Sequence, residues 1–147
     1  MKKVFTLAIL STLSVFIILS AACSSGSKPT ADNPIAGKVI KSGAIGSLTA
    51  TLTNDSGKLK SGDQEVTLAF SDASGKAVDV GSASLNFFMP AMGSMAAMND
   101  AAPLTTTGTP GVYKSKVKLS MAGDWQAQIA IEGPAGNSKA SLPVIAQ

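Results

Sequence analysis

The sequence predicts an all-β fold, an immunoglobulin-like antiparallel β-sandwich of about seven strands. Three observations predict it. Short segments of alternating apolar and polar residues recur at intervals of about 8–15 residues, and turn signals rich in glycine, asparagine and aspartate separate them. Outside the N-terminus, no window has the periodicity of an amphipathic helix. A closed barrel is the alternative arrangement for the same strands.

The predicted strands fill the chain from residue 48 onwards. The clearest predicted strand, residues 112–119, contains three lysines that alternate mainly with apolar side chains. This period of two indicates an antiparallel strand with one face in solvent. We expect Trp125, in the following strand, to be the central aromatic group of the core. Pro143 lacks an amide hydrogen, which suits a strand at a sheet edge. The alternating segments are residues 48–52, 65–70, 84–89, 112–119, 125–132 and 140–145.

The N-terminus has the three parts of a secretory signal. A short basic start with Lys2 and Lys3 precedes an almost wholly apolar run over residues 4–19, and small residues then lead up to Cys23. The apolar run is short for a membrane-spanning helix, which needs about 20 residues. A polar segment follows Cys23 at once, which suits cleavage better than a retained helix.

The residues before the cysteine make this prediction more specific. Leu19-Ser20-Ala21-Ala22-Cys23 resembles a lipobox, the signal for diacylglycerol attachment to a cysteine thiol. We therefore predict a lipoprotein signal peptide over residues 1–22, with Cys23 as the lipid attachment site. Ordinary secretion is the alternative, because small residues at the same place also satisfy the general signal peptidase.

Composition sets the remaining boundaries. Residues 23–43 are rich in Ser, Gly, Lys, Pro and Asp, and we predict a lipidated tether there, followed by one domain over residues 44–147. The formal charge of +3 falls to +1 when Lys2 and Lys3 leave with the signal. The sequence contains no arginine, and no basic stripe combines with stacking aromatic residues, so we expect no nucleic-acid binding.

The chain contains no histidine. This excludes Ser-His-Asp and Cys-His catalysis and the usual histidine sites for zinc, iron and cupric ion. Cys23 is the one cysteine, and lipid on its thiol leaves no thiolate chemistry. We therefore predict that the protein is not an enzyme.

The unusual chemistry lies in a segment rich in methionine, residues 89–98. Its four methionines are spaced by three, and Pro90 and Gly93 oppose a long helix, so we predict a loop with a single helical turn over residues 94–98. A thioether is a soft, neutral donor that suits Cu(I), whereas the oxygens of Asn99 and Asp100 suit so soft a metal poorly. The candidate copper ligands are Met92, Met95 and Met121, with Met89 and Met98 in reserve.

Packing offers a second interpretation of these residues. Methionine also fills irregular gaps in cores and forms adaptable contact surfaces. Met89 continues the inward face of a strand and is predicted to belong to the core, and Met121 continues the inward face of another. For Met92, Met95 and Met98, three roles stay open at this point: metal binding, packing of a loop over the core, and docking of a partner.

Three ordered motifs resemble the YtkA-like domain, which is related to the FixH family. They are Phe87-Phe88-Met89-Pro90-Ala91-Met92-Gly93, Gly111-Val112-Tyr113 and Leu119-Ser120-Met121-Ala122-Gly123-Asp124-Trp125. The resemblance covers about residues 60–145 and implies an immunoglobulin-like sandwich outside the cytoplasm, often on a lipoprotein or beside copper-handling proteins. It carries the family's recurrent methionines onto Met89, Met92 and Met121, with Met95 close to a further one.

Together these observations predict a copper-binding or copper-handling lipoprotein that prefers Cu(I). Its expected location is the cell envelope, on the outer face of the cytoplasmic membrane or on the outer membrane facing the periplasm. The expected partners are the membrane, through the lipid, and a copper-handling or membrane-complex protein. The alternative is an assembly module without metal, which docks a membrane partner through the same apolar methionine loop.

Overall fold

The computed structural model describes residues 35–147, which form nine antiparallel β-strands. Cys23, the predicted signal peptide and most of the predicted tether lie outside the described residues. The strands are β1 (Lys38–Ile45), β2 (Leu48–Asn54), β3 (Gly62–Ser71), β4 (Ser82–Met89), β5 (Met98–Ala102), β6 (Leu104–Thr106), β7 (Val112–Leu119), β8 (Gly123–Glu132) and β9 (Ser138–Ala146). No helix among residues 35–147 is long and apolar enough to cross a membrane.

The strands form two sheets that pack face to face. One has the order β1-β2-β3-β7-β6 and the other the order β5-β4-β8-β9. The predicted β-sandwich is therefore confirmed, and the barrel alternative is wrong, because the described strands form two separate sheets rather than one closed sheet. Pro143 lies on β9, which is an edge strand as predicted.

Alternation along β7 shows how the sequence separates core from solvent. Lys114, Lys116 and Lys118 are exposed, while the residues between them are buried. The inward side chains of both sheets form one apolar core, in which Trp125 is the largest fully buried side chain at 1% exposure. The prediction that Trp125 is the central aromatic group is confirmed. Burial of such large rings dominates the energetics of a core of this size.

Three strands were not predicted. Strand β1 contains residues 38–43, which the composition had assigned to the tether, so that part of the tether prediction is wrong. Most of β1 is exposed, and an edge strand with little buried surface carries no clear hydrophobic alternation. Strands β5 and β6 are short and consist mainly of small and polar residues. They raise the number of strands from about seven to nine.

The register of the strands defines two ends of the sandwich. Lys38 pairs with Asn54, Met89 with Met98, and Gly123 with Ala146, so all of these lie at one end, which we call the methionine end. The main chain of Gln147 bonds to residues 59 and 61 there, which joins the two sheets. The methionine end contains the start of β1, the β2–β3 connection, the β4–β5 loop, the β7–β8 turn and the end of β9.

Candidate metal site

The β4–β5 loop, residues 90–97, closes into a tight hairpin of its own. The amide of Met92 donates to the carbonyl of Met95 at 3.1 Å, and the amide of Met95 donates to the carbonyl of Met92 at 2.9 Å. Gly93, the first of the two residues between them, has a φ of +57°, which a side chain would disfavour. The predicted loop is confirmed. The predicted helical turn is wrong, because this reversal ends at Met95 and Met98 already belongs to β5.

This hairpin places two methionines opposite each other. Residues directly opposite each other in an antiparallel pair project to the same face, with Cβ atoms about 4.5–5.5 Å apart. Met92 and Met95 are such a pair. Both are exposed, at 46% and 41%, although each is a large apolar residue. Two soft donors on one face of a short, exposed turn are therefore within reach of a single small ion.

The other three methionines have different surroundings. Met89 is 1% exposed and belongs to the core, as its strand position predicted. A Cβ on Gly123 would lie 3.0 Å from the Met89 methyl carbon, so the glycine leaves room for this side chain. Met98 pairs with Met89 across β4 and β5, and it is partly buried against the core, as is Met121.

The β7–β8 turn is held from two sides. The carbonyl of Met121 accepts a hydrogen bond from the indole nitrogen of Trp125 at 3.1 Å. On the other side, the amide of Ser120 donates to Asp100 at 2.7 Å, and the Ser120 hydroxyl donates to the same carboxylate at 2.8 Å. Because Asp100 lies on β5, two residues after Met98, these bonds fix the backbone of Met121 at the corner where β5 begins.

The hydrogen bonds also explain what Asp100 and Asn99 do. The carboxylate of Asp100 is bound by Ser120, and the side-chain oxygen of Asn99 accepts from Asn86 at 3.1 Å. Sequence reasoning missed the link between Asp100 and Ser120, which are 20 residues apart. The available signal was the alternation of Met98, Asp100 and Ala102, which places all three on the inward-facing side of β5.

A broad groove beside this link contains none of the methionines. It has a volume of about 700 Å³ and is lined by side chains of both charges, including Asp63, Glu65 and Lys116. Between residues 35 and 147, no three or more histidine, cysteine, aspartate or glutamate side chains are grouped so as to hold a metal ion. Charges of opposite sign on adjacent strands suit pairing with each other, as in the bond of Lys114 to Glu65 at 3.0 Å.

The Gly111-Val112-Tyr113 motif lies at the opposite end of the sandwich. Gly111 has a φ of +75°, and its Cα approaches the backbone carbonyl of Val78 so closely that a Cβ would overlap it. The Tyr113 hydroxyl donates to the carbonyl of Gly81 at 3.1 Å, and its ring meets Phe70 edge to face with centroids 5.9 Å apart. This motif therefore stabilises the fold, whereas the other two motifs meet at the methionine end.

The comparison with protein families is consistent with this geometry. The family model described as YtkA-like matches residues 44–130, more than half of the chain, and all three motifs fall within that range. The chain belongs to the YtkA-like family. Comparisons with curated proteins and with solved structures returned no match.

Proposed function

We propose that this YtkA-like protein is a membrane-anchored lipoprotein of the cell envelope that binds Cu(I). The thioethers of Met92 and Met95 are the first two ligands. The observation that carries the proposal is the two-residue hairpin that presents both side chains, exposed, on one face. The protein has no catalytic role in this proposal: it captures the ion at the membrane surface and passes it to a partner or withholds it.

The donor set fits this ion. Thioethers are neutral, keep their lone pairs at any pH and bind soft, monovalent copper in preference to hard cations. The sequence contains no histidine, which disfavours cupric ion. Packing explains Met89, but it does not explain why Met92 and Met95 leave nearly half of their surface in solvent. An apolar side chain gains about 1.5–3 kcal/mol when it is fully buried.

Met121 and Met98 are the candidates for further ligands. Both lie at the methionine end and both are partly buried against the core, so a change of side-chain rotamer is enough to alter where their sulfur atoms point. The fixed backbone around Ser120 and Trp125 favours Met121, because its main chain needs no ordering when the ion binds. Met89, by contrast, would have to leave the core.

A competitive Cu(I) titration tests the proposal, with the mature lipoprotein in detergent under reducing conditions. The test variant carries Met92→Leu and Met95→Leu, which keep the apolar surface and remove the sulfur. The control carries Met89→Leu, a volume-conserving change in the core. We expect the double variant to lose at least about tenfold in affinity, or about 1.4 kcal/mol, and the control to bind normally. Wild-type affinity no tighter than weak micromolar would refute the proposal.

The exposure of the same two side chains also favours a second candidate function, a docking module without metal. Leucine in place of Met92 and Met95 preserves an apolar surface, so a docked membrane partner would remain bound in the double variant. Copper chelators would also leave such docking unchanged. Loss of copper together with retained docking would separate the two roles.

A further inference from the structure

The large apolar side chains that are exposed lie at one end of the sandwich. Among residues 35–147, four large apolar side chains are exposed: Val39 at 57%, Ile145 at 64%, Met92 and Met95. Val39 is the second residue of β1, and Ile145 is the second-last residue of β9. The strand register puts both at the methionine end, together with the hairpin of Met92 and Met95. Scattered apolar residues are normal on a protein surface, but four at one end need an explanation.

Two shallow grooves lie beside Ile145. Pro90, at the start of the methionine loop, lines one groove together with Lys41 and Ile145. Ile40 and Lys58 line the other, again with Ile145. The surface therefore runs from the β4–β5 loop across the end of β9 to β1 and the β2–β3 connection.

The chain enters the domain at this same end. Strand β1 begins at Lys38, opposite Asn54, and Cys23 lies 12 residues before Ile35, the first described residue. Twelve residues reach at most about 40 Å when fully extended. The ten-residue strand β8 is about 30 Å long, so the opposite end could meet the membrane only if the tether ran back beside the domain over about three quarters of its full reach. The methionine end is therefore the nearest part of the domain to the lipid.

Charged residues border the apolar surface. Lys38, Lys41, Lys58 and Lys60 are exposed around β1 and the β2–β3 connection. Asp55 and Asp63 each lie three residues from one of these lysines in the sequence. On β8, Asp124 lines the groove that Pro90 and Ile145 line. Lysine beside exposed apolar side chains is the composition of surfaces that rest in the headgroup region of a bilayer, where each basic residue contributes about 1 kcal/mol on an anionic membrane.

From this arrangement we infer that the methionine end rests on the lipid bilayer, with Val39, Ile145 and the loop of Met92 and Met95 at headgroup level. The occupant of the surface is the bilayer that holds the lipid of Cys23. The inference rests on the lipid attachment in the proposed function, and it does not depend on copper. The inference gives the domain one preferred orientation, in which the opposite end of the sandwich, where Gly111 lies, points away from the membrane.

Spin labels on introduced cysteines test this orientation. Because lipid occupies the thiol of Cys23, Ile145→Cys provides a single free thiol at the methionine end, and Ala73→Cys provides one at the opposite, exposed end. The mature lipoprotein is placed in protein-free vesicles of phosphatidylcholine with phosphatidylglycerol. We expect the label at 145 to be shielded from a water-soluble nickel reagent and accessible to oxygen, and the label at 73 to show the reverse.

Two results would overturn the inference. One of them leaves the proposed function intact, and the other removes its lipid anchor. Equal access of the nickel reagent to both labels, on a protein whose mass includes the lipid, would mean that the surface does not rest on lipid, and it would leave the anchor and copper binding intact. A mass spectrum that shows an unmodified Cys23 would remove both the anchor and this orientation. A Lys58→Glu and Lys60→Glu variant checks the charge contribution, because its label at 145 should become more accessible to nickel.

Discussion

The carboxylate of Asp100 accepts hydrogen bonds from both the amide and the hydroxyl of Ser120, at 2.7 and 2.8 Å. This pair joins β5, an edge strand, to the β7–β8 turn, by which the chain crosses between the two sheets. It also sets the position of Met121 next to the start of β5. A bond of this kind to a charged acceptor is stronger than one between neutral groups.

Removing the carboxylate should therefore loosen the β7–β8 turn. We expect Asp100→Asn to lower the free energy of unfolding by about 1–2 kcal/mol, since hydrogen bonds to a charged group are lost. Urea denaturation measures this, with Asp124→Asn on the exposed side of β8 as the control. Asp100→Asn and Ser120→Ala should not be fully additive, because the Ser120 hydroxyl donates to the carboxylate that Asp100→Asn removes. The link would contribute nothing if Asp100→Asn lowered the free energy of unfolding no more than Asp124→Asn and if its effect simply added to that of Ser120→Ala.

Gly111 is predicted to be among the least replaceable residues. A side chain at this position would be disfavoured by the positive φ, and its Cβ would overlap the carbonyl of Val78. Gly111→Ala should therefore lower the free energy of unfolding by more than about 3 kcal/mol or prevent folding. Gly75→Ala is the matched control, because Gly75 has a φ of +84° and nothing lies within 4 Å of a Cβ placed there. We expect about 1 kcal/mol for the control. Similar thermal midpoints for the two variants would contradict the steric argument.

Ser115 offers a prediction of the opposite sign. Its hydroxyl is buried on β7 and has no hydrogen-bond partner among the described residues. Because an unpaired buried hydroxyl is unfavourable, Ser115→Ala should leave stability unchanged or raise it by up to about 1 kcal/mol.

The control for this variant is Thr53→Val, which also removes a buried hydroxyl. Thr53 donates to the carbonyl of Ala36 at 3.0 Å, so its replacement should cost about 1 kcal/mol. Calorimetry of both variants checks the contrast, and a Ser115→Ala protein that is the less stable of the two would contradict it.

The pKa of Glu65 should report its contact with Lys114. The hydrogen bond from the Lys114 ammonium and the positive charges of Lys114 and Lys116 hold the pKa of the Glu65 carboxyl below its usual value. A carboxyl whose pKa is lowered in the folded state stabilises the fold at pH values above its pKa in the unfolded chain. This contribution is lost as the pH falls through the pKa of the folded state. The contribution is small, because both side chains are about half exposed.

Carbon-detected NMR of the Glu65 carboxyl, titrated towards acid, measures this pKa. Lys114→Met should raise it towards the usual value, whereas Lys118→Met, on the same strand, should change it less. An unchanged titration in the Lys114 variant would show that the contact is absent in solution.

The strength of the sequence prediction followed burial. Strands β4, β7 and β8 each have one face in the core, so their alternation was clear and their positions were predicted. Strand β3 was predicted from the alternation of Val66, Leu68 and Phe70, although residues 66–70 are all buried. Strand β1 has a single buried residue, Ile45, and its pattern did not differ from that of a polar tether. An edge strand with so little buried surface is held mainly by backbone pairing, which leaves little trace in the side-chain pattern.

The candidate site was predictable in composition and not in geometry. The clustering of methionines is visible in the sequence, and the strand position of Met89 predicted its burial. The pairing of Met92 with Met95 depends on a reversal at Gly93 with positive φ, and that conformation is one of several open to glycine. The contact of Asp100 with Ser120 depends on how the two sheets are joined, which local patterns do not encode.

The central claim is that the thioethers of Met92 and Met95 hold Cu(I), and the methyl NMR signals of the methionines test it most directly. The lipoprotein carries ¹³C-methyl methionine and is titrated with Cu(I) in the absence of oxygen. The methyl signals of Met92 and Met95 should shift together and saturate at one equivalent, a shift of Met121 would identify it as the third ligand, and buried Met89 should remain unchanged. Methyl signals of Met92 and Met95 that stay in place while the protein retains Cu(I) would contradict the proposal.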